Sequence, residues 1–384
     1  MNFALSPEQE AIGETARRFA QDRLAPLYRK HDVTGQFDRS LIAEMGALGL
    51  IAPELPENYG GLGLGYVAAG VIIESIAAAD FNIAYIQLLA SLNGHILADH
   101  APPELAGQWL PRLMRGEIII ALALTEPQGG SDAARLQLKM TREGDSYVLN
   151  GEKTSISMAD QADAAIVFGR TGRPEDGASG ITALLVDMAS PGIHRGRFSD
   201  HGQRAIGRGS LIFDNVRVTA ANRLGDEGAG FKQVMQGFDF SRALIGLQCL
   251  AVAEASLRET WQYVQERRAF GQPLSAFQGV SHMLAEFDTY VTAARLLCQK
   301  TLWLKDAGLP HSAEAAMVKW WGPKLAYETI HQCLLVHGHA GYSIDLPFEQ
   351  RMRDVLGLQI GDGTAQVMKT IVARIRAGRK NVPY

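Results

Sequence analysis

The spacing of apolar residues changes twice along the 384-residue chain. Residues 1–118 repeat apolar positions with the period of amphipathic helices, as in Ile12, Ala16 and Phe19. Residues 119–225 carry short runs of β-branched and aromatic residues between Gly, Asp, Asn and Pro, a pattern typical of a small antiparallel sandwich or barrel. The helical period returns in residues 226–384. The pattern predicts an α+β multidomain protein: a helical N-domain, a middle antiparallel β-domain and a C-terminal four-helix bundle.

Local signals set the individual elements. Ser6, Pro7 and Gln9 predict a helix start, with Ser6 as N-cap, and Pro26 is expected to end or kink that helix. The other predicted helices are residues 38–50, 66–79, 81–100, 103–114, 231–269 (as one helix or two), 277–306 and 313–338. The predicted strands are residues 118–124, 136–140, 147–150, 165–168, 181–186 and 210–218.

Composition narrows the class of protein. Hydrophobic residues are 47% and charged residues 20%, and a net charge of −4 gives no reason to expect nucleic acid as a partner. Three dispersed cysteines without a Cys-x-x-Cys motif favour reduced thiols. The N-terminus lacks a secretory pattern, and the longest apolar run, Ile118 to Leu124, is too short to span a bilayer. We therefore expect a cytoplasmic protein with no membrane span.

Two motifs that suggest ligand sites have simpler explanations. The glycine-rich run of residues 60–65 is not preceded by a strand and lacks the third glycine of a dinucleotide fingerprint, so we expect an ordinary loop. His337 and His339 would lie about 200° apart on a helix, because a turn takes 3.6 residues. Packing or cofactor contact is therefore favoured over a metal site.

Three polar clusters are better candidates. The turn of residues 125–132 follows an apolar strand, and its N–H and hydroxyl groups could receive an electron-rich group or form a turn without a ligand. Asp239 and Arg242 stand three apart on a helix, either as a surface salt bridge or as a contact for a polar substrate group. The corner of residues 267–278 combines cations, aromatics and an amide that could clamp a phosphate and a ring, although a structural corner would need only the Gly and Pro.

Asp362 is the most informative carboxylate. It stands between Gly361 and Gly363 after a mostly apolar stretch, and partial desolvation would raise its pKa and make it a proton acceptor. On this segment alone, an N-cap for the helix that begins near Thr364 is the simpler interpretation. The rest of the chain favours the proton acceptor.

These motifs, taken together and in order, resemble the acyl-CoA dehydrogenase family over essentially the whole chain. The resemblance is carried by Thr125-Glu126-Pro127-x-x-Gly130-Ser131-Asp132, Asp239-x-x-Arg242, Arg267-x-x-Phe270-Gly271-x-Pro273-Leu274-x-x-Phe277-Gln278, Gly338-x-x-Gly341-Tyr342, Arg353-Asp354 and Asp362-Gly363-Thr364-Ala365-Gln366. It implies FAD-dependent α,β-dehydrogenation of an acyl-CoA thioester to the 2-enoyl-CoA. A carboxylate removes the α-proton while the β-hydrogen leaves as hydride to the flavin.

The resemblance also implies residue roles. Asp362 would be the base, and its backbone N–H would help to bind the thioester oxygen. The implied cofactor contacts are Leu124, Thr125, Gly130, Ser131, Ser157, Leu274, Phe277, Gly338, Thr364 and Gln366, with Arg267, Phe270 and Gln278 reaching a neighbouring subunit's FAD. The implied substrate contacts are Ser131, Phe238, Asp239, Arg242, Gly361 and Gly363. Cross-subunit contacts imply a homotetramer, and the implied electron acceptor is an electron-transfer flavoprotein.

The chain departs from the family pattern beside the reacting carbon. The usual base is Glu, and Asp362 is shorter by one C–C bond, about 1.5 Å. Gly361 stands where the family commonly has Tyr, which favours an alicyclic or branched acyl group such as cyclohexanecarboxyl-CoA, on which some members with Asp at this place act. Ser155 replaces an aromatic residue that usually covers the flavin.

Other functions remain open at the level of sequence. A flavin oxidase of the same family, oxidising a nitroalkane or an acyl group, would also fit Asp362. A non-catalytic FAD-binding relative would keep the same cofactor motifs. The acyl group could also be attached to a carrier protein instead of CoA.

Overall fold

The computed structural model describes residues 4–382 and confirms the succession of helices, sheet and helices. The helices are α1 (Pro7–Phe19), α2 (Tyr28–Thr34), α3 (Arg39–Ala47), α4 (Gly65–Ala77), α5 (Phe81–His100), α6 (Pro103–Met114), α7 (Gly230–Glu266), α8 (Gln278–Asp306), α9 (Ser312–Val336), α10 (His339–Tyr342), α11 (Phe348–Gly357) and α12 (Ala365–Ala377). The strands are β1 (Ile120–Ala123), β2 (Lys139–Glu143), β3 (Ser146–Ile156), β4 (Ala164–Arg170), β5 (Ile181–Asp187), β6 (Ile193–Arg197), β7 (Gly209–Thr219), β8 (Arg223–Leu224), β9 (Arg268–Ala269) and β10 (Gln272–Pro273).

The first helix begins with the predicted capping box. The Ser6 hydroxyl accepts from the Gln9 backbone N–H at 3.2 Å, and the Gln9 side chain accepts from the Ser6 N–H at 3.0 Å. Pro26 does not end the helical course. A π-helical turn, Ala20–Leu24, and a 3₁₀ turn, Ala25–Leu27, carry the chain into α2, because Pro is tolerated in the first turn of a helical segment.

The middle sheet has the strand order β6-β7-β3-β2-β4-β5-β8, with β1 pairing on β4. The expectation of a purely antiparallel domain needs a correction, because β1 and β2 both run parallel to β4. Strand β6 was not predicted. Its residues are mostly exposed, so the sequence Ile-His-Arg-Gly-Arg carries no alternation of buried and exposed positions.

The C-terminal part is organised around α7, which packs against α8 and α9, while α12 packs on α9. These four helices form the expected bundle. By length and composition α7 is apolar enough to cross a membrane, but 94% of its most apolar window is buried inside the protein. That burial is the environment of a core helix.

A buried carboxylate on α11 ties the helical and β parts together. Asp354 accepts from the Tyr28 hydroxyl at 2.8 Å and from the Gln203 backbone N–H at 2.5 Å. Burial raises the pKa of Asp354 to about 7. The neighbouring Arg353 guanidinium binds Asp32 at 2.7 Å. These contacts fix the end of α11, and the loop that carries Asp362 follows directly.

Candidate active site

A cleft with a cavity volume of about 2290 Å³ lies where the N-terminal helices, the sheet and the C-terminal helices meet. Its walls bring together most of the site residues that the sequence predicted. They are Leu124, Thr125, Gly130, Ser131, Ser157, Phe238, Asp239, Arg242, Gly361, Asp362, Gly363, Thr364 and Gln366. Residues separated by more than 200 positions in the sequence therefore share one cavity. The predicted cofactor contacts and the predicted substrate contacts meet there.

Six predicted cofactor contacts lie outside this cleft. They are Arg267, Phe270, Leu274, Phe277, Gln278 and Gly338, at the corner between α7 and α8 and after α9. Phe270 is 96% exposed, and its backbone φ of 50° is in the left-handed region. The sequence assigned Arg267, Phe270 and Gln278 to a neighbouring subunit's cofactor. They do not line this chain's own cleft, and the assignment stays a prediction.

Asp362 lies in the loop between α11 and α12, and it does not cap the helix. Thr364 is the N-cap, because its hydroxyl accepts from the Val367 N–H at 3.4 Å. Asp362 itself has a φ of 55°, a conformation that is uncommon outside glycine and that Asp tolerates better than most residues. Within residues 4–382, its backbone N–H finds no acceptor. The carboxylate and this N–H are therefore available to a ligand.

Three cations surround the Asp362 carboxylate. Burial raises the pKa of Asp362 above its ordinary value, and the charges of Lys319, Arg242 and Arg208 oppose that rise. A desolvated carboxylate is a stronger base than one in water, and the three cations favour its ionised form. This balance is the one that a proton acceptor needs.

Lys319 holds the loop that carries Asp362 in place. Its ammonium group is buried in α9 and donates to the backbone carbonyls of Leu358, at 2.8 Å, and Gly363, at 2.9 Å. Burial lowers the pKa of Lys319 to about 8, although the charge of Asp362 opposes this effect. One side chain thus holds both ends of the segment that presents Asp362.

The glycine after Asp362 is required by its backbone conformation. Gly363 has a φ of 103°, and a Cβ there would lie 2.4 Å from the Met368 Cε. Gly361, on the other side, faces open space, since its Cβ would meet only the Gly357 carbonyl at 3.8 Å. The loop is therefore tight on one side of Asp362 and roomy on the other.

Arg242 and Asp239 form the predicted pair, but not on the surface. Arg242 is buried, donates to the Asp239 carboxylate at 2.9 Å and lies 5.6 Å from the Phe238 ring. The Arg242 Nε is buried without a hydrogen-bond partner in the described part of the chain. A buried, unpaired N–H at a cavity wall is a natural contact for a ligand oxygen.

The turn after β1 is fixed by a buried ion pair. Lys153 Nζ donates to the Glu126 carboxylate at 2.7 Å and to the Leu124 carbonyl at 2.9 Å. Glu126 also accepts from the backbone N–H groups of Gln137, at 2.5 Å, and Leu138, at 2.8 Å. These donors hold the pKa of Glu126 below its ordinary value despite burial. The pair clamps both ends of the turn that carries Thr125, Gly130 and Ser131.

The end of β3 supplies the other side of the cleft. Ser155 is exposed with a φ of 56°, next to a register shift between Lys153 and Ile156. Ser157 lies in the cavity wall and donates to the Tyr85 hydroxyl at 3.2 Å. Ser155 in the strand and Ser157 just after it thus present two hydroxyl groups at this side of the cleft.

Sequence reasoning missed Tyr85, Arg208 and Lys319. Lys319 stands within the apolar run Ala-Ala-Met-Val-Lys-Trp-Trp, and a single charge in such a run was a usable signal. Tyr85 lies in a nearly continuous apolar helix, and Arg208 lies in a loop rich in arginine. Neither position differs from its neighbours in any pattern, so only the fold reveals them.

His337 has a packing role. His337 is stacked on Tyr263 with ring centroids 4.1 Å apart, and its Nδ1 is 2.9 Å from the Cys333 carbonyl. Within residues 4–382, no cluster of three His, Cys, Asp or Glu side chains is arranged to hold a metal ion.

Comparisons with known proteins agree with this geometry. The chain matches the family models described as acyl-CoA dehydrogenase N-terminal domain over residues 6–117, middle domain over residues 121–216 and C-terminal domain over residues 228–376. It is 33% identical to the short-chain-specific acyl-CoA dehydrogenase of Clostridium acetobutylicum over 379 residues, covering 97% of this chain and 99% of that protein.

Two solved structures have the same fold over nearly their full length. Butyryl-CoA dehydrogenase from Megasphaera elsdenii superposes with a TM-score of 0.95 at 32% identity, covering 98% of this chain and 100% of that chain. A structure reported for the electron-transferring flavoprotein of Acidaminococcus fermentans gives a TM-score of 0.95 at 33% identity, covering 98% of this chain and 99% of that chain. The chain therefore belongs to the acyl-CoA dehydrogenase family.

Proposed function

We propose that this protein catalyses α,β-dehydrogenation of an acyl-CoA thioester whose acyl group is alicyclic or branched, such as cyclohexanecarboxyl-CoA. Family membership makes it an FAD-dependent oxidoreductase. The choice of an alicyclic or branched acyl group rests on Asp362. Its side chain is one methylene group shorter than that of Glu, and the space beside it at Gly361 is open.

The residues of the cleft fit FAD. Gly130 leaves room for a close backbone approach, since a Cβ there would meet only the Thr125 methyl group at 3.5 Å. The hydroxyls of Thr125, Ser131 and Ser157 line the same wall. Thr364, at the start of α12, and Gln366 lie where a helix N-terminus favours a phosphate group. When bound there, FAD supplies the acceptor for the β-hydride.

The chain's own groups account for the proton step. Asp362 removes the α-proton, and its raised pKa makes it a better acceptor than a carboxylate in water. The unpaired N–H of Asp362 can donate to the thioester oxygen, where negative charge develops as the proton leaves. Lys319 holds the loop in place, and its charge favours the ionised form of the Asp362 carboxylate.

Volume supports the choice of acyl group. Asp362 reaches about 1.5 Å less far than Glu would, so the α-carbon must lie closer to the loop backbone. The open side at Gly361 admits a substituted α-carbon at that position. The relatives named above carry short-chain or butyryl in their names, so a linear short chain is the competing substrate class.

The direct test is an anaerobic absorbance titration of the holoprotein at the flavin bands. We expect cyclohexanecarboxyl-CoA to reduce the flavin faster than butyryl-CoA or octanoyl-CoA does. Faster reduction by both linear thioesters would remove the alicyclic proposal and leave the dehydrogenase activity intact. Fast reoxidation by molecular oxygen alone would favour the oxidase alternative.

The pH dependence of the same reaction tests the role of Lys319. Flavin reduction should rise with pH as Asp362 loses its proton, with a midpoint above the ordinary carboxyl value because burial raises that pKa. Replacing Lys319 by Met removes a cation that lowers the pKa of Asp362, so the rising limb should move to higher pH. The control is Lys324→Met, an exposed residue on the same helix paired with Glu328. An unmoved limb in Lys319→Met would contradict the role assigned to Lys319.

We also propose a homotetramer in which the corner of residues 267–278 contacts a neighbouring subunit's cofactor. The almost fully exposed Phe270 ring, held in an uncommon backbone conformation, supports this proposal because bare aromatic surface favours burial at an interface. A light-scattering mass of one chain would contradict it.

An electron-transfer flavoprotein is the proposed electron acceptor, and the likeness to a structure reported for such a protein supports it.

A further inference from the structure

A polar pair, Tyr85 and Arg208, lines the same cleft as Asp362. Tyr85 lies on the face of α5 that also places Leu88, Leu89 and Leu92 in the cavity wall. Arg208 reaches the same cavity from the loop before β7. The three leucines suit a hydrocarbon group, and they do not explain the phenol or the guanidinium.

Tyr85 is arranged as a hydrogen-bond donor. Its side chain is 7% exposed, and its oxygen accepts from the Ser157 hydroxyl at 3.2 Å, which leaves its own proton to donate. Burial and the negative charge of Asp362 raise the pKa of Tyr85, so the phenol keeps that proton at neutral pH. The phenol and the Asp362 carboxylate line the same cavity.

Arg208 offers N–H donors, and the carboxylate of Asp200 compensates its positive charge. Its guanidinium binds the Asp200 carboxylate at 2.8 Å and the Gln203 amide oxygen at 2.6 Å. The same guanidinium interacts with the Tyr85 hydroxyl. Because a guanidinium has five N–H groups, these contacts leave some of them for a ligand. The nearby charges compensate in pairs: Arg208 with Asp200, Arg242 with Asp239 and Lys319 with Asp362.

This charge balance favours a neutral oxygen over a carboxylate as the group recognised. A carboxylate would add an unmatched negative charge to a half-buried site that already contains Asp362. A hydroxyl or ether oxygen adds none and can accept from both Tyr85 and Arg208.

The same helix carries two further polar side chains without protein partners. Gln87 and Ser91 are fully buried, and within residues 4–382 the polar atoms of both side chains lack hydrogen bonds. Neither side chain lines the cleft, so neither belongs to the polar pair formed by Tyr85 and Arg208.

We propose that the acyl group bears a neutral oxygen substituent, such as a hydroxyl, which Tyr85 and Arg208 bind. This inference rests on the proposed function and narrows its substrate class. The substituent lies beyond the β-carbon, because the α- and β-positions are the ones that react.

The test uses two matched pairs of thioesters in anaerobic flavin reduction by the holoprotein. One pair is cyclohexanecarboxyl-CoA with its 4-hydroxy derivative, and the other is butyryl-CoA with 4-hydroxybutyryl-CoA. We expect the hydroxylated member of at least one pair to react about 3- to 10-fold faster at low concentration, the value of one or two hydrogen bonds. Tyr85→Phe and Arg208→Lys should each lower that ratio toward one.

Tyr290→Phe is the matched control, because Tyr290 lies partly exposed on α8 with its hydroxyl bonded to Glu286. Its ratio should equal that of the unaltered protein. Reduction of the flavin at equal rates with and without the hydroxyl, or a ratio unchanged in Tyr85→Phe, would overturn this inference alone. Failure of all four thioesters to reduce the flavin would overturn the proposed function as well.

Discussion

Replacing Asp362 by Asn should lower the rate of flavin reduction by acyl-CoA on the order of 100- to 10,000-fold, the usual contribution of a general base. The amide cannot accept the α-proton, but it keeps the size of the side chain and the backbone N–H that is proposed to bind the thioester oxygen. FAD should remain bound, because its expected contacts in this chain's cleft are in the turn after β1, just after β3 and at the start of α12. Anaerobic stopped-flow absorbance measures the rate, and the flavin spectrum of the purified variant measures retention.

Asp354→Asn serves as a contrast for this variant. Asp354 is a buried carboxylate with a raised pKa, only eight positions earlier, but it bonds to Tyr28 and Gln203 and does not line the cleft. Its replacement should affect stability more than the rate of the folded protein. A rate for Asp362→Asn within a few-fold of the unaltered protein would place the base elsewhere.

Replacing Lys153 by Met should have the largest effect on stability and on FAD retention. Lys153 and Glu126 are 0% and 2% exposed, and removal of one partner leaves a buried charge uncompensated. Such a change costs about 3–5 kcal/mol of unfolding free energy. The turn of residues 125–132 should also loosen, because it loses the donor to the Leu124 carbonyl. Thermal unfolding and the flavin content after gel filtration measure the two effects.

The control for Lys153→Met is Arg217→Met in the same sheet. Arg217 forms a salt bridge with Glu143, with side chains that are 64% and 48% exposed, and exposed pairs contribute about 0–1 kcal/mol. A stability loss in Lys153→Met no greater than that of Arg217→Met would contradict the clamp. A destabilised variant that still retained full FAD would restrict the role of the pair to folding.

Helix positions and most of the strands could be predicted from the sequence because their signals are local. The ranges of α5 and α6 match the predicted ones; Asp80 caps the start of α5, and Pro103 occupies the first position of α6. The parallel pairing of β1 with β4 could not be predicted in this way. It joins segments about 40 residues apart, and no local pattern records which strands become neighbours.

In the candidate site, too, local motifs could be predicted from the sequence, and contacts between distant segments could not. Asp362, the turn of residues 125–132 and Asp239 with Arg242 stood out as motifs, and the fold brings them to one cavity. The ambiguity between N-cap and base at Asp362 needed coordinates, because only they show that Thr364 caps α12. Lys319 and Arg208 act through space on a residue far along the chain, so their roles depend on packing that the sequence does not state.

The most direct test of Asp362 as the α-proton acceptor isolates the proton step from the oxidation. Phenylacetyl-CoA has α-hydrogens but no hydrogen on its β-carbon, so it can lose a proton and cannot be dehydrogenated. We expect the holoprotein in D₂O to exchange the α-hydrogens for deuterium, followed by proton NMR, at a rate at least 100-fold above that of Asp362→Asn. Equal exchange by the two proteins would contradict the assignment of Asp362 as the base.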